Sequence, residues 1–432
     1  MASTTTWLIS QWTNPRDIFT VLLIVGGDVV QLAIAQICAG PVPWLAPVPF
    51  SFGWVSYAMT ATMAAVGGRP LMPKPELDCL VINAHSGYSR KNCSWVLSRI
   101  LRDFDHWRPA ICDELELRVL ERLRSASGPP PDQRAAKQAT GTISKLDHAS
   151  VIRIGLRITV WQCVKADGVG IGDWVYWTGT VVTIIQIAIS IIPWAMYDEW
   201  FTFLIVSTGS FLAYTSAGLP QWRKEKVDCR KAPPIRRKDI VLTEGNGSKE
   251  AVLLLGCDNG MDLEHFAASS RVQAGSVASS VTSILLASFW LSLLVSVAGW
   301  QRHTWYLLSI GLIGAIHNLV VVGIARNPEA FGLHLRYQDT IMAQRVMESL
   351  WHLEEKHPYA GLALLQEYFP GPLTRREEAL WGYARRRAEA QSPQGAFTSS
   401  LSSYCEDIPK HGPYQTETDQ SCVKSTGAQS SR

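Results

Sequence analysis

Six apolar stretches, each 20 to 25 residues long and free of Lys and Arg, constrain this chain more than any other feature. They run Ile18–Ala39, Trp44–Val66, Trp174–Met196, Trp200–Leu219, Ser276–Trp300 and Thr304–Ala325. About 20 apolar residues in a helix, each rising about 1.5 Å, match a hydrocarbon core about 30 Å thick. A helix satisfies its own backbone groups in lipid, so the sequence predicts six transmembrane helices. The connectors Gly40–Pro43, Tyr197–Glu199 and Gln301–His303 are short and group them into three hairpins. Every other segment then falls on the opposite face.

Those spans take 135 of the 432 residues and leave most of the chain outside the bilayer. A net charge of +3 is too small to argue for nucleic acid. The nine cysteines include no CxxC pair and no Cys/His metal spacing, so neither a metal nor a cofactor is expected. The first apolar run is too long for the core of a cleaved signal peptide and reads as a retained signal anchor. Near the span ends, the long-loop side carries Arg16, Arg69, Lys74, Lys165, Arg223, Lys224, Lys226, Arg271 and Arg326. The short-turn side offers Arg302 beside Asp198 and Glu199. Basic flanks mark the cytosolic side, so both termini are expected there, with the cysteines of that side reduced.

The fold expected is an all-α polytopic membrane protein of six helices with a small cytosolic α+β module. Residues 1–17 are a lead-in, 18–66 the first hairpin, 174–219 the second and 276–325 the third. The module comes from two insertions, 67–173 and 220–275. Asp78–Asn83 reads as a buried strand, and Asn92–His106 and Ala110–Arg124 as amphipathic helices. Ser125–Thr140 is a Gly/Pro/Gln-rich linker. Ile152, Ile154, Leu156, Ile158 and Val160 alternate with Arg153, Gly155, Arg157, Thr159 and Trp161, as in a half-buried strand. Asp239–Thr243 and Ala251–Leu255 flank the turn residues Glu244–Ser248 and read as a hairpin. The tail, 326–389, is expected to hold helices at about Tyr337–Lys356 and Arg375–Glu389, and 390–432 to be disordered.

The strongest functional signal is polar residues inside the spans. Asp28 lies near the middle of the first, with Gln31 and Gln36 on the same broad face. A carboxylate at the bilayer centre costs of order 3 kcal/mol, so it is expected to face protein or water. His317 and Asn318 lie in the sixth span, and Gln186 at a similar depth in the third. Counted from the cytosolic ends, Asp28 and His317 differ in depth by about 3 Å, which places them to meet. The plain alternative is a hydrogen-bonded cluster that only fixes helix packing. Ser276, Ser280, Ser288, Ser292 and Ser296 form a small-residue stripe, as do Gly209, Ala213 and Ala217; both are read as close helix contacts. The chain has no Walker A loop, no H-E-x-x-H, no G-x-S-x-G and no D-D-x-x-D motif. Asp103-Phe104-Asp105 reads as the polar side of a soluble helix.

Asn14-Pro15-Arg16-Asp17-Ile18-Phe19-Thr20 and Gly26-Gly27-Asp28-Val29-Val30-Gln31 are similar to the opening of a group of multi-pass membrane proteins of filamentous fungi. The similarity continues through Phe50–Val55, Val81-Ile82-Asn83, Ser94–Leu97, Leu219–Trp222 and Gly245-Asn246-Gly247, across roughly residues 12–330. That group resembles fungal membrane-bound terpene cyclases of meroterpenoid and related secondary metabolism. The resemblance implies a terpenoid or meroterpenoid cyclase acting on a hydrophobic prenylated small molecule at an endoplasmic reticulum or other endomembrane. It carries no catalytic residues over. A carboxyl desolvated in lipid stays protonated and can start a cyclisation without metal. On that chemistry Asp28, His317 and Asn318 are the candidate catalytic residues, and Gln31 and Gln186 the candidate substrate contacts. A proton-coupled carrier and a non-enzymatic membrane scaffold remain as alternatives.

Overall fold

The computed structural model describes residues 26–126, 153–227, 238–256, 261–268, 277–299 and 302–391. Residues 1–17 and the first part of the Ile18–Ala39 span lie outside them, as do most of the linker and the tail beyond Gln391. The chain divides into two units at Thr374/Arg375. In chain order the helices are α1 (Gly27–Ile37), α2 (Gly53–Val66), α3 (Trp95–Arg102), α4 (Phe104–Trp107), α5 (Ile111–Ala126), α6 (Trp174–Tyr197), α7 (Phe201–Ala217), α8 (Pro220–Val227), α9 (Leu263–Ala268), α10 (Val277–Gly299), α11 (Thr304–Gly323), α12 (Val346–Lys356), α13 (Ala360–Tyr368) and α14 (Arg375–Gln391). The strands are β1 (Leu80–Asn83), β2 (Ser89–Lys91), β3 (Leu156–Ala166), β4 (Ile240–Thr243), β5 (Glu250–Leu255) and β6 (Leu333–Ala343). Only α14 is described in the second unit; all that follows concerns the first.

Among the described residues four helices, not six, are long and apolar enough to cross a membrane: Trp174–Tyr197, Phe201–Val227, Val277–Gly299 and Thr304–Gly323. In α10 only 28% of the apolar window is buried in the chain, and Val277, Leu285, Phe289 and Val295 face outward. A surface this apolar is stable against lipid rather than water.

The first predicted hairpin takes a different form. The span predicted at Trp44–Val66 is helical only from Gly53, and Leu45–Phe52 is not helical. Pro41, Pro43, Pro47 and Pro49 explain the break. Each lacks an N–H and pushes the residue before it out of the helical region. The apolar reading missed this because hydropathy does not register backbone chemistry.

The turn Gly40–Pro43 also lies at the opposite end from the one expected. Gly40 abuts the Tyr176 ring, Gly172 abuts Pro41, and Lys226 donates to the Cys38 carbonyl at 2.6 Å. These are the ends of α6 and α8 nearest the sheet. From there the chain turns back into the bundle. A Cβ on Gly179 would lie 1.7 Å from the Pro47 carbonyl oxygen, and one on Gly314 1.9 Å from that of Phe50. Phe50 meets Gln186, 12 residues along α6 from Trp174, about 18 Å deep. Helices α1 and α2, of 11 and 14 residues, are therefore about 16 and 21 Å long and cover part of a bilayer. Their N-termini meet inside the bundle, where Gly53 packs on Gly26 and Gly27 on Ser56.

The five strands of the two insertions and β6 of the tail form one six-stranded sheet in the order β2-β1-β4-β5-β3-β6. Pairs are antiparallel except β3 with β5. Strand β1 of the first insertion pairs with β4 of the second, Val81 opposite Leu242. The period of two divides the sheet's side chains. Val81, Ile240, Leu242, Val252, Leu254, Trp161 and Cys163 join the continuous apolar core of the membrane helices. Ile82, Val241, Leu253, Ile158 and Val160 are buried on the other face. Sheet and membrane helices thus share one core.

Three further expectations change. Tyr337–Ala343 belongs to strand β6 rather than to a helix, because β6 pairs along β3 from Ala343 to Leu333; the helix starts at Val346. The serine stripe of α10 is outward at Ser288, Ser292 and Ser296, each bonded back to its own helix, while Ser283, Ala287 and Trp290 face inward. The second stripe does pack closely, with Gly209 against the Phe50 ring. Cys163 is disulfide-bonded, whereas Cys38, Cys79, Cys93 and Cys112 are free.

Two predictions test the broken hairpin. Gly314→Val removes the space that Phe50 occupies and should prevent accumulation of folded protein. Gly323→Ala, in open space on the same helix, should be neutral or stabilising by up to about 1 kcal/mol. Detergent-solubilised thermal melts check both. A membrane-impermeant thiol reagent should label Pro43→Cys from the face that labels the sheet and Arg302→Cys from the other. Labelling of both from one face would restore a full transmembrane hairpin.

Candidate functional site

Of the polar residues singled out in the spans, Gln186 and Asn318 meet the non-helical segment of the broken hairpin. Lipid leaves non-helical backbone no partner, so such backbone persists only where protein satisfies it. Here side chains do so. Tyr176 Oη donates to the Leu45 carbonyl at 2.8 Å, and Trp54 Nε1 to that of Pro49 at 3.0 Å. Gln186, fully buried, donates from Nε2 to Phe50 O at 2.8 Å and Ile310 O at 2.9 Å. Asn318 Nδ2 donates to Ser51 Oγ at 3.3 Å. Gln186 and Asn318 are thus brought to consecutive residues of the hairpin.

His317 is half-buried and its Nε2 lies 3.1 Å from Thr178 Oγ1. Gln31 donates to Leu71 O at 2.7 Å and anchors the loop after α2. Asp28 is exposed and makes no bond to another described residue. The expected meeting of Asp28 with His317 does not occur: the helical phase of α1 turns Val30, Ala33 and Ile34 into the bundle and Asp28 outward.

The orientation of Gln186 follows from its partners. Both are carbonyl oxygens, so its NH₂ must face them and its own oxygen cannot. That oxygen, like Asn318 Oδ1 and His317 Nδ1, is buried without a partner in the protein. Beside them runs an aromatic column. Phe50 and Trp54 each stack on Trp290, with ring centroids 6.3 and 5.6 Å away, and Tyr57 links Trp54 to Trp222. Trp54, Trp222 and Trp290 are completely buried, so these three are core residues.

A second cluster, at the sheet-side ends of the helices, was not read from the sequence as a site. Arg326 forms a two-point ion pair with Asp173, at 2.8 and 2.7 Å, and donates to Gln36 O at 2.6 Å. Asp173 also caps α6 by accepting from Tyr176 N. Arg99 pairs with Asp103 and Glu76 and donates to Val322 O and Ile324 O at 2.7 and 2.8 Å. Lys226 reaches Gln36 O and Cys38 O. Three buried cations therefore cap the C-termini of α1 and α11, where carbonyls are unpaired and the helix dipole is negative. Asp103, expected on a polar surface, is buried within this collar. Burial lowers the affinity of Arg99 for its proton, and Asp103 and Glu76 oppose that effect. The usable sequence signal was a charge directly after each apolar run: Arg326 after α11 and Asp173 before α6.

On the sheet, His85 Nε2 lies 3.2 Å from Asp239 Oδ2, which raises the imidazole's affinity for its proton. The Tyr359 ring lies beside it at 5.4 Å. Among the described residues no group of three or more His, Cys, Asp and Glu is placed to hold a metal ion.

Compared with models of known protein families, with curated proteins and with solved structures, the chain matches none.

The collar is testable by itself. Arg326→Met keeps the bulk but leaves the Asp173 carboxylate without its ion pair and the Gln36 carbonyl with Lys226 alone at 3.3 Å. Removing one member of a buried pair typically costs about 3–5 kcal/mol. The variant should melt well below the parent, and Arg326→Lys, which lacks the two-point geometry, should fall between them.

Proposed function

We propose that this multi-pass membrane protein receives a small, largely apolar molecule at the broken hairpin and cyclises its prenyl chain. Four apolar helices support the membrane assignment. The observation that carries the site is the buried, unpartnered oxygen of Gln186 on the hairpin backbone. A ligand hydroxyl would satisfy it, because an unpaired acceptor in this setting costs about 1–3 kcal/mol. A prenylated phenol supplies that donor and an apolar chain suited to the aromatic surroundings of Gln186. The resemblance to fungal membrane-bound terpene cyclases supports the reaction.

In this reading Asp28 is the acid, reached from the lipid side of α1, and Gln186 and Asn318 position the substrate. The basic flanks support a cytosolic sheet and cytosolic termini, in an endoplasmic reticulum or other endomembrane.

A proton-coupled carrier is the second reading. The observation favouring it is the pair of half-length helices whose N-termini meet inside the bundle, an arrangement used by secondary transporters for substrate sites.

Expression in a heterologous fungus fed farnesylated phenols, with product analysis, separates the two. Cyclised product supports the cyclase. Its absence, with proton-dependent uptake of the same compounds into vesicles, supports the carrier. Because Asp28 bonds to no other described residue, Asp28→Asn should leave protein levels normal while the linear precursor accumulates. Full product formation by that variant would remove Asp28 from the mechanism.

A further inference from the structure

The loop after α2 and helix α8 are tied together at the sheet-side end of the membrane helices. Glu225 Oε2 accepts from Leu71 N at 2.6 Å and Met72 N at 2.9 Å, and Gln31 holds the Leu71 carbonyl. The other Glu225 oxygen accepts from Gln221. Arg69 and Lys74, each two residues from the bonded Leu71–Met72 pair, thus share this end of the membrane helices with Arg223 and Lys224 of α8. Arg69, Lys74 and Lys224 are exposed and Arg223 is half-buried. None of the four side chains makes an ion pair or hydrogen bond with a described residue. Among the described carboxylates on these two segments, Glu225 is engaged as above and Glu76 with Arg99 and Arg102. Just membrane-ward, Met63, Val66 and Val277 are exposed and apolar. Four cations with no ion pair among the described residues thus stand where acyl surface gives way to water.

We propose that Arg69, Lys74, Arg223 and Lys224 bind the head group of an anionic phospholipid in the sheet-side leaflet. The apolar ends of α2 and α10 take its chains, and the cations its phosphate and carboxylate. The tie through Glu225 joins the backbones of the two segments that carry the cations, which sets this patch apart from charge on separate loops. Each cation near an anionic leaflet contributes roughly a fivefold gain in affinity.

The test uses the purified full-length protein in detergent and a fluorescent short-chain phosphatidylserine. This probe should bind roughly tenfold or more tightly than the phosphatidylcholine analogue. Arg69→Gln/Lys74→Gln/Arg223→Gln/Lys224→Gln should bind the two equally. Arg118→Gln/Arg122→Gln, on α5 of the sheet module, should keep the preference. If the fourfold variant fails to fold, the wild-type protein still decides: its preference should vanish in about 1 M salt, where charges are screened beyond about 3 Å. Equal binding of the two lipids by the wild type would overturn the proposal, as would a preference that survives high salt. Competition by inorganic phosphate as effective as by the lipid would also overturn it, in favour of a free phosphate site.

Discussion

The pairing of Arg326 with Asp173 and with the end of α1 holds this architecture together. A helix that ends inside a protein presents carbonyls that need donors. Here α1 and α11 end side by side, and the donors are charged. Arg326, Arg99 and Lys226 are buried and turned toward those carbonyls, with Asp173, Asp103 and Glu76 as counter-charges. Desolvating such groups is tolerable only because each hydrogen bond is charge-assisted and most of the cations also meet a carboxylate. The collar joins α1, α3, α6, α8 and α11 at one level and so fixes the sheet to the membrane helices. One apolar face of the sheet then extends the membrane core.

The broken hairpin depends on the same collar. Its two ends are the sheet-side ends of α1 and α2, and its interior is an extended segment inside the bundle. Glycines at 179, 209, 311 and 314 on three surrounding helices leave room for that segment, and Tyr176, Trp54, Gln186 and Asn318 supply its hydrogen bonds. Much of the intramembrane polarity that draws attention in the sequence is therefore devoted to backbone. What the hairpin does not consume is the side-chain oxygen of Gln186 and that of Asn318.

Legibility in the sequence followed the range of the interaction. Alternation in Ile152–Val160 and the glycine turn between β4 and β5 are local, and β3 and the hairpin both exist, although β3 begins at Leu156 and extends on to Ala166. The segment Tyr337–Ala343 has no such local signature. Its strand form comes from pairing with β3 about 180 residues earlier in the chain. The serine stripe of α10 was visible as a period, but periodicity does not say which face is inward. Trp290 and Leu286 decided that by packing into the core.

Apolar runs of membrane-spanning length, the basic flanks and the presence of strands in the insertions were determined by the sequence itself. They depend on composition and on periods of two and 3.6 residues. Even the break at Pro47 and Pro49 was written there, as backbone chemistry rather than hydropathy. The tertiary structure alone decided that the Gly40–Pro43 turn belongs to the sheet side, that Asp28 faces outward, and that Gln186 and Asn318 meet neighbouring residues of one segment. These outcomes depend on the helical phase and on contacts between residues more than a hundred positions apart. A single residue's offset turns a side chain by about 100° around its helix, so depth along the membrane does not specify a partner.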